Sequence, residues 1–382
     1  MTPRPVRYVN PRTGATWAVD EPLWRAPDDG GYLNLTPGPG LTPEIVETER
    51  LSLWRYRAAL PFEGLPAVSL GEGWTPLVPI NWDGVQVLMK AEQLMPSGSF
   101  KDRGTAVMLH YLKSHGVGSV LEDSSGNAGA SVATYAAAAG IACRILVPAS
   151  TPKAKIVQMA AAGADVVPIE GSRQDVADAA LREAESTFYA SHNWQPFFLE
   201  GTKTLAFELW EQLGFAVPDN VVVPLGYGSN VIGCHLGFKE LMVAGEIDRL
   251  PRIFGVQAAA CAPLVAAFEA GADGLVDIEI AATAAEGIAS SKPVRVAENL
   301  VAARESGGAL IGVGEDEIVS ALERLIGRGF YVEPTSATAV AGLQRLIADG
   351  AVGAAQRTVV VLTGIGLKAS EKIGQLFGLT RL

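Results

Sequence analysis

The sequence is poor in residues that staple a chain or coordinate a metal. Its three cysteines, Cys143, Cys234 and Cys261, are odd in number, far apart and without CxxC spacing. That excludes a disulfide framework and a cysteine-held zinc, and it fits a reduced, cytoplasmic setting. The four histidines, His110, His115, His192 and His235, show no metal-ligand spacing either, so no metal is expected. No run of Lys and Arg offsets the formal net charge of -11. A nucleic-acid backbone would be repelled by that field, and no nucleic-acid partner is expected. Long apolar runs are also missing. The most membrane-like window, Ala130 to Ala149, carries Arg144 and is interrupted by Gly140, so it reads as a small-residue helix, a turn and a strand rather than a membrane span. The amino-terminal MTPRPVRYVNPRTG has charge and proline but no apolar core, unlike a secretory leader. What remains is an enzyme-like composition, 48% hydrophobic and 19% charged over 382 residues, long enough for two or three domains.

Residues 1–65, rich in Pro, Gly, Trp and Arg, read as a wrapping extension anchored by Trp17, Trp24 and Trp54. Turn chemistry in GEGWTPLVPI (71–80) leads into an extended segment, and VQVLMKAE (85–92) reads as a strand. From Gly116 a βα rhythm sets in: strands at 118–123, 142–149 and 164–170, helices after Gly126 and at 152–162 and 174–187. It resumes with a helix at 204–214, strands at 221–226 and 252–258, and an acidic-headed helix at 315–326. FYVEP (330–334), a helix from Ser336 and TVVVLT (358–363) complete it. Alternating strands and helices predict α/β architecture with open parallel sheets in two domains. The expected organisation is a large domain of residues 66–109 plus 199–382 and a small mobile domain of residues 110–198, with a ligand in the cleft between them.

Four stretches carry the chemistry. PSGSFKDRG (96–104) places Lys101 at the start of a helix-compatible run. The helix dipole, Arg103 and partial burial would all disfavour its ammonium form, and a neutral lysine amine can form a Schiff base. In EDSSGNAGAS (122–131) a strand ends in Ser124, Ser125 and Gly126 before a helix headed by Asn127 and Ala128. Backbone N–H groups and hydroxyls there make a site for a carboxylate, although Ser and Asn are also common helix caps. VVVPLGYGSNVIG (221–233) offers Gly226, Tyr227, Gly228, Ser229 and Asn230 as a phosphate cradle at a helix start; it matches neither GxGxxG nor the P-loop. VVVLTGIGLK (359–368) puts Thr363 at the carboxyl end of a strand, where ligands of open α/β sheets bind.

Taken together, and with LEGTKTLAFE (199–208) and EPTSATAVAGL (333–343), these stretches resemble the pyridoxal-phosphate enzymes of fold type II, the tryptophan synthase β-like superfamily, and within it the threonine synthases. The family's motifs GEGxTPL, PTGSFKDRG, STGNxxAS, LEGQKTLAFE, EPASAxxxAGL and TGHGLK find ordered counterparts from about residue 66 to the end. The resemblance implies pyridoxal 5'-phosphate held covalently by Lys101, with Asn127 on its ring hydroxyl. Gly226 to Asn230 would hold its phosphate, and Thr363 would meet its pyridine nitrogen. A hydroxyl partner leaves that nitrogen largely unprotonated, which favours elimination or replacement over transamination. The substrate would be a small α-amino acid, bound by Ser124, Ser125, Gly126, Asn127 and Ala128, and the enzyme a carbon–oxygen lyase, as a homodimer.

The chain departs from the family in the segment SHNWQPFFLEG (191–201). Phe198 stands where an arginine for the substrate phosphate is expected, and Asn193 where a serine is. Losing a charge-assisted Arg contact to a dianion costs on the order of a few kcal/mol. Trp194, Phe197 and Phe198 either give a drier substrate lining or pack in the core. His192 lies in this segment and is the histidine to test. Two alternatives to a threonine synthase activity therefore stand: a threonine or serine dehydratase-type ammonia-lyase, which needs no phosphate subsite, and a non-catalytic pyridoxal-phosphate-binding protein.

Overall fold

The structure is a computed structural model that describes residues 6–62 and 64–379. The first five residues of the amino-terminal stretch discussed above lie outside the described residues. Contacts divide the chain into two compact units, one running to Gly73 and including Lys101–Thr204, the other Trp74–Phe100 together with the chain from Leu205. The divisions thus fall at 73, 100 and 204, where the sequence rhythm puts 65, 109 and 198.

The first unit opens with three short strands, β1 (Arg7–Val9), β2 (Thr16–Ala18) and β3 (Asn34–Leu35), in an antiparallel sheet of order β2-β1-β3. They are too short to show alternation, which is why only turn chemistry was readable there. Tyr8, Leu33 and Trp54 share one buried core with Leu109, Tyr135 and Phe197, and Trp17 packs against it. Trp24 meets Tyr189 and Trp194 edge to face. The extension therefore has no core of its own and completes that of its unit.

The chain then enters the second unit as a hairpin of β4 (Leu77–Trp82) and β5 (Val85–Lys90). Its two-residue turn is Asp83-Gly84 with φ of 52° and 83°, both left-handed as such a tight hairpin requires. Back in the first unit come α1 (Lys101–Ser114), β6 (Ser119–Glu122), α2 (Asn127–Ala139), β7 (Ala142–Pro148), α3 (Lys153–Ala161), β8 (Asp165–Ile169), α4 (Arg173–Glu183) and β9 (Phe188–Tyr189). Among the described residues β6 to β9 form a four-stranded parallel sheet of order β8-β7-β6-β9. The helix α5 (Pro196–Gln212) starts well before the predicted residue 204. Pro196 suits a first helical position, and Thr202 and Thr204 turn their hydroxyls onto the carbonyls of Phe198 (2.9 Å) and Gly201 (2.6 Å), so LEGTKT is helical rather than a loop.

The second unit continues with β10 (Asn220–Pro224), α6 (Ser229–Ala244), β11 (Arg252–Ala258), α7 (Pro263–Glu269), α8 (Val296–Glu305), β12 (Ala309–Val313), α9 (Glu315–Ile326), α10 (Pro334–Ala348), β13 (Thr358–Val361) and α11 (Ser370–Leu376). Its six-stranded sheet, order β12-β11-β10-β13-β5-β4, is parallel except for β4. β10 is buried along its whole length, as its unbroken VVV run implies. In α9, Ile318, Leu322 and Leu325 face the core, and Glu315, Asp316 and Glu317 occupy the first turn, where the helix dipole favours them. No helix among the described residues is long and apolar enough to cross a membrane.

Candidate active site

Lys101 is the first residue of α1. The loop that delivers it is fixed within the second unit. Phe100 N–H donates to the Thr363 carbonyl (3.0 Å), and Ser99 bridges Gly364. Gly98 adopts φ 86°, and a Cβ there would come within 2.8 Å of Ile365. The lysine side chain has its surroundings in the first unit. Its Nζ lies 5.6 Å from the centre of the Phe198 ring, which is fully buried and rests on Gly104, where a Cβ would come within 2.5 Å of the ring. Burial lowers the Lys101 amine from 10.5 to about 8, and the negative charge of Glu122 opposes part of that shift. Arg103, invoked above as a cause, is buried and donates to Thr204 Oγ1 (3.2 Å), and it is not among the groups that move the amine.

The strand β6 ends in Glu122, followed by Asp123, both buried. Glu122 Oε1 pairs with His192 Nδ1 at 2.9 Å, and Asp123 with Arg173 at 2.7 Å. Next come Ser124 and Ser125, half-buried, then the exposed Gly126 and the start of α2 at Asn127 and Ala128. The serines do not cap that helix. Gly126 stands at the cap without a side-chain hydrogen bond, and Ser124 Oγ instead accepts from Gly126 N–H (3.3 Å). An anion beside this turn would meet the positive end of the α2 dipole. Gly129 is required here, since a Cβ would lie 2.0 Å from the Ser124 carbonyl. Asn193 is buried beside Phe198's segment. Phe197 stacks on Tyr111 and Trp194 meets Trp24, so both are core packing, whereas Phe198 is core on one side and a wall beside Lys101 on the other.

In the second unit, β10 leads through Gly226 and Tyr227 to Gly228, which has φ 95° and precedes α6. A Cβ at Gly228 would sit 1.8 Å from Asn299 Oδ1, and one at Gly226 would press on Ile288 at 3.2 Å. Asn299 Nδ2 donates to the carbonyls of Tyr227 (3.0 Å) and Arg295 (2.9 Å), tying the loop to α8. Ser229 and Asn230 form the first turn of α6. Asn230 is buried, and neither polar atom of its side chain has a hydrogen-bond partner among the described residues. Thr363, also buried, lies just beyond β13, its hydroxyl 3.2 Å from Ser336 Oγ. Ser336 Oγ also accepts the N–H groups of Thr363 (2.9 Å) and Gly364 (3.0 Å). The positions missed from sequence are Glu122, Asn299 and Ser336. Glu122 and Ser336 had a signal, their places in EDSSGNAGAS and EPTSATAVAGL.

A family model described as pyridoxal-phosphate dependent enzyme matches residues 68–364. The chain belongs to that family. It is a pyridoxal-phosphate-dependent lyase of the threonine-synthase-like kind with the fold type II architecture. It is 37% identical to the threonine synthase of Methanocaldococcus jannaschii over 372 residues, 94% of this chain and 91% of that one. With the threonine synthase of Methanosarcina acetivorans it shares 36% identity, again over 94% of this chain and 91% of the relative. Among solved structures it is similar to threonine deaminase isoform 2 from Solanum lycopersicum, with a TM-score of 0.67, 24% identity and coverage of 78% of this chain and 84% of that one. A threonine deaminase from T.th. gives a TM-score of 0.65 at 26% identity, covering 76% of this chain and 92% of that one.

The residues present fit the cofactor. A glycine-lined turn at the start of α6, where side chains at Gly226 and Gly228 would intrude, with a buried and unsatisfied Asn230 amide, has the chemistry of a phosphate cradle. A half-buried lysine whose amine is lowered to about 8 has the chemistry of its covalent anchor.

Proposed function

We propose that this enzyme converts phosphohomoserine to threonine and inorganic phosphate. The observation that carries the chemistry is the Lys101 amine, half-buried at a helix start and lowered to about 8. The choice of substrate follows the threonine synthases it resembles over 94% of its length. In this reading Lys101 holds the cofactor, Asn127 its ring hydroxyl, Thr363 its ring nitrogen, and Gly226, Tyr227, Gly228, Ser229 and Asn230 its phosphate. When bound, pyridoxal phosphate supplies the electron sink that makes the Cα–H of an amino acid acidic. The chain's own groups do the rest. The N–H groups heading α2, with Ser124, Ser125, Gly126 and Ala128, bind the substrate carboxylate. The freed amine of Lys101 takes the proton from Cα and later returns one. Phe198 keeps water from the lysine's flank, and Asn193 lies on the same substrate-side segment.

A second reading, an ammonia-lyase acting on threonine or serine, is favoured by one feature. Phe198, fully buried, stands where the resemblance puts a phosphate-binding arginine, and the charge that acts on Lys101 in its own unit is the carboxyl group of Glu122. The two readings part in one experiment on purified protein. A visible absorption band that disappears in Lys101→Ala, with phosphate and threonine released from phosphohomoserine, is the expected result. The same band with ammonia and 2-oxo acid from threonine or serine selects the lyase. A band without turnover on any of these selects a non-catalytic binder, and absence of a band overturns the cofactor assignment. The proposal extends to a cytoplasmic setting, in keeping with three cysteines that form no disulfide, and to a homodimer. Sedimentation tests the dimer.

A further inference from the structure

Glu122 and His192 form a buried polar pair that the reaction as described above leaves without a task. The carboxyl group sits at the carboxyl end of a parallel strand, immediately before the Ser124–Asn127 turn. It is fully buried, its Oε1 is fixed by His192 Nδ1 at 2.9 Å, and its Oε2 has no hydrogen-bond partner among the described residues. Leaving a buried carboxyl oxygen unmatched is costly unless the group holds a proton or exchanges one. His192 also packs against the Phe198 ring, centroids 5.7 Å apart, the same ring that lies 5.6 Å from Lys101 Nζ. Pair and lysine therefore border one dry wall. A group that takes a proton from a substrate must be able to pass it on, and a lysine amine holds only one extra proton at a time.

We propose that Glu122, oriented by His192, is a positioning residue that exchanges a proton with Lys101. In the forward direction an N–H bond of the lysine ammonium breaks, its electron pair stays on the amine, and the proton bonds to Glu122 Oε2. The reverse transfer restores ammonium and carboxylate. The environment of the carboxyl group supports this role. Burial, and then Asp123, raise Glu122 well above the usual carboxylate range, while Arg173, Lys101 and the hydrogen bond from the His192 segment act the other way. His192 is held neutral by burial and by the positive charges of Lys101 and Arg173. The remaining titratable groups that feel Glu122 are the Cys143 thiol of β7 and the Tyr189 hydroxyl of β9, both raised chiefly by burial and so neutral. Neither competes for the proton.

The inference rests on Lys101 as the cofactor's anchor, and its test separates the two. Apoprotein is mixed with pyridoxal phosphate, and the rate of visible band formation is followed against pH for the wild type, Glu122→Gln, Glu122→Asp and Lys101→Ala. Turnover is then measured on whichever of phosphohomoserine, L-threonine and L-serine reacts. Glu122→Gln keeps the shape and a hydrogen bond to His192 but holds no exchangeable acid. Its capture profile moves to lower pH, because a negative charge beside the ammonium is gone, while kcat falls about a hundredfold or more at nearly unchanged KM. Easier capture with slower turnover is a combination that loss of packing does not produce. Glu122→Asp, a methylene shorter, keeps the wild-type capture midpoint and recovers part of kcat; it is read alone should the glutamine variant not fold. No band in the wild type overturns the anchor and this inference with it. A wild-type band with an unmoved midpoint and unchanged kcat in Glu122→Gln, or with Glu122→Asp equal to wild type in kcat, overturns this inference alone.

Discussion

A lysine amine lowered by burial to about 8 is about one-tenth neutral at pH 7, a fraction about three hundredfold larger than at the ordinary 10.5. The sign of the pH effect follows directly. Burial depresses the amine, so the reactive neutral form grows as pH rises through about 8 and then levels off. Cofactor capture by apoprotein should rise with a midpoint near 8, measured as the initial rate of visible band formation. A midpoint near 10.5 would mean that Lys101 is solvated like any surface lysine. That the ammonium form of this lysine is disfavoured was legible from PSGSFKDRG. Burial was among the causes expected, but the residues around the amine were not legible, because Phe198 and Glu122 lie 97 and 21 positions further along the chain. Glu122 itself was opaque for a related reason: in EDSSGN an acid ending a strand looks solvated, and only the fold shows it buried against His192.

At the scale of elements, local periodicity was a good guide where a helix exposes one face. The span predicted for α9, 315–326, is the span observed, since its buried and charged positions alternate with helical spacing. It failed where an element is buried all round or contains glycine. The start of α5 was hidden because Gly201 reads as a break, yet it sits inside the helix, where a Cβ would lie 2.0 Å from the Arg103 carbonyl of α1. This sets two opposing effects in the same substitution. Helix propensity alone makes Gly→Ala favourable by about 1 kcal/mol. Against a backbone oxygen that cannot move aside, overpacking costs typically about 1–3 kcal/mol and dominates. Gly201→Ala should therefore lower the thermal midpoint, while Gly374→Ala in α11, where a Cβ would meet nothing within 4 Å, should raise it slightly. Paired melting curves decide, and a stabilised Gly201→Ala would show that α1 and α5 do not approach this closely.

For the whole molecule, the βα rhythm gave both parallel sheets but not the assignment of chain to unit. That assignment depends on contacts between distant segments, such as Tyr8 and Trp54 of the extension sharing a core with Leu109 of α1, which no local pattern encodes. The same long-range economy has a thermodynamic consequence. Both polar atoms of the Asn230 amide, in the first turn of α6, are buried without partners among the described residues, so the folded chain carries a cost that a ligand can remove. A ligand that binds only the folded state stabilises it by about 2.7 kcal/mol at one hundred times its dissociation constant. Pyridoxal phosphate should accordingly raise the melting temperature of the apoprotein, in proportion to the logarithm of its concentration above saturation. Asn230→Ala should shrink that rise by weakening the hold on the phosphate, while sparing the visible band at high cofactor concentration, since the proposed covalent bond is to Lys101. An Asn230→Ala protein stabilised as much as the wild type would place the phosphate away from the start of α6; loss of the band at saturating cofactor would mean that the loop positions the reactive carbonyl as well as the phosphate.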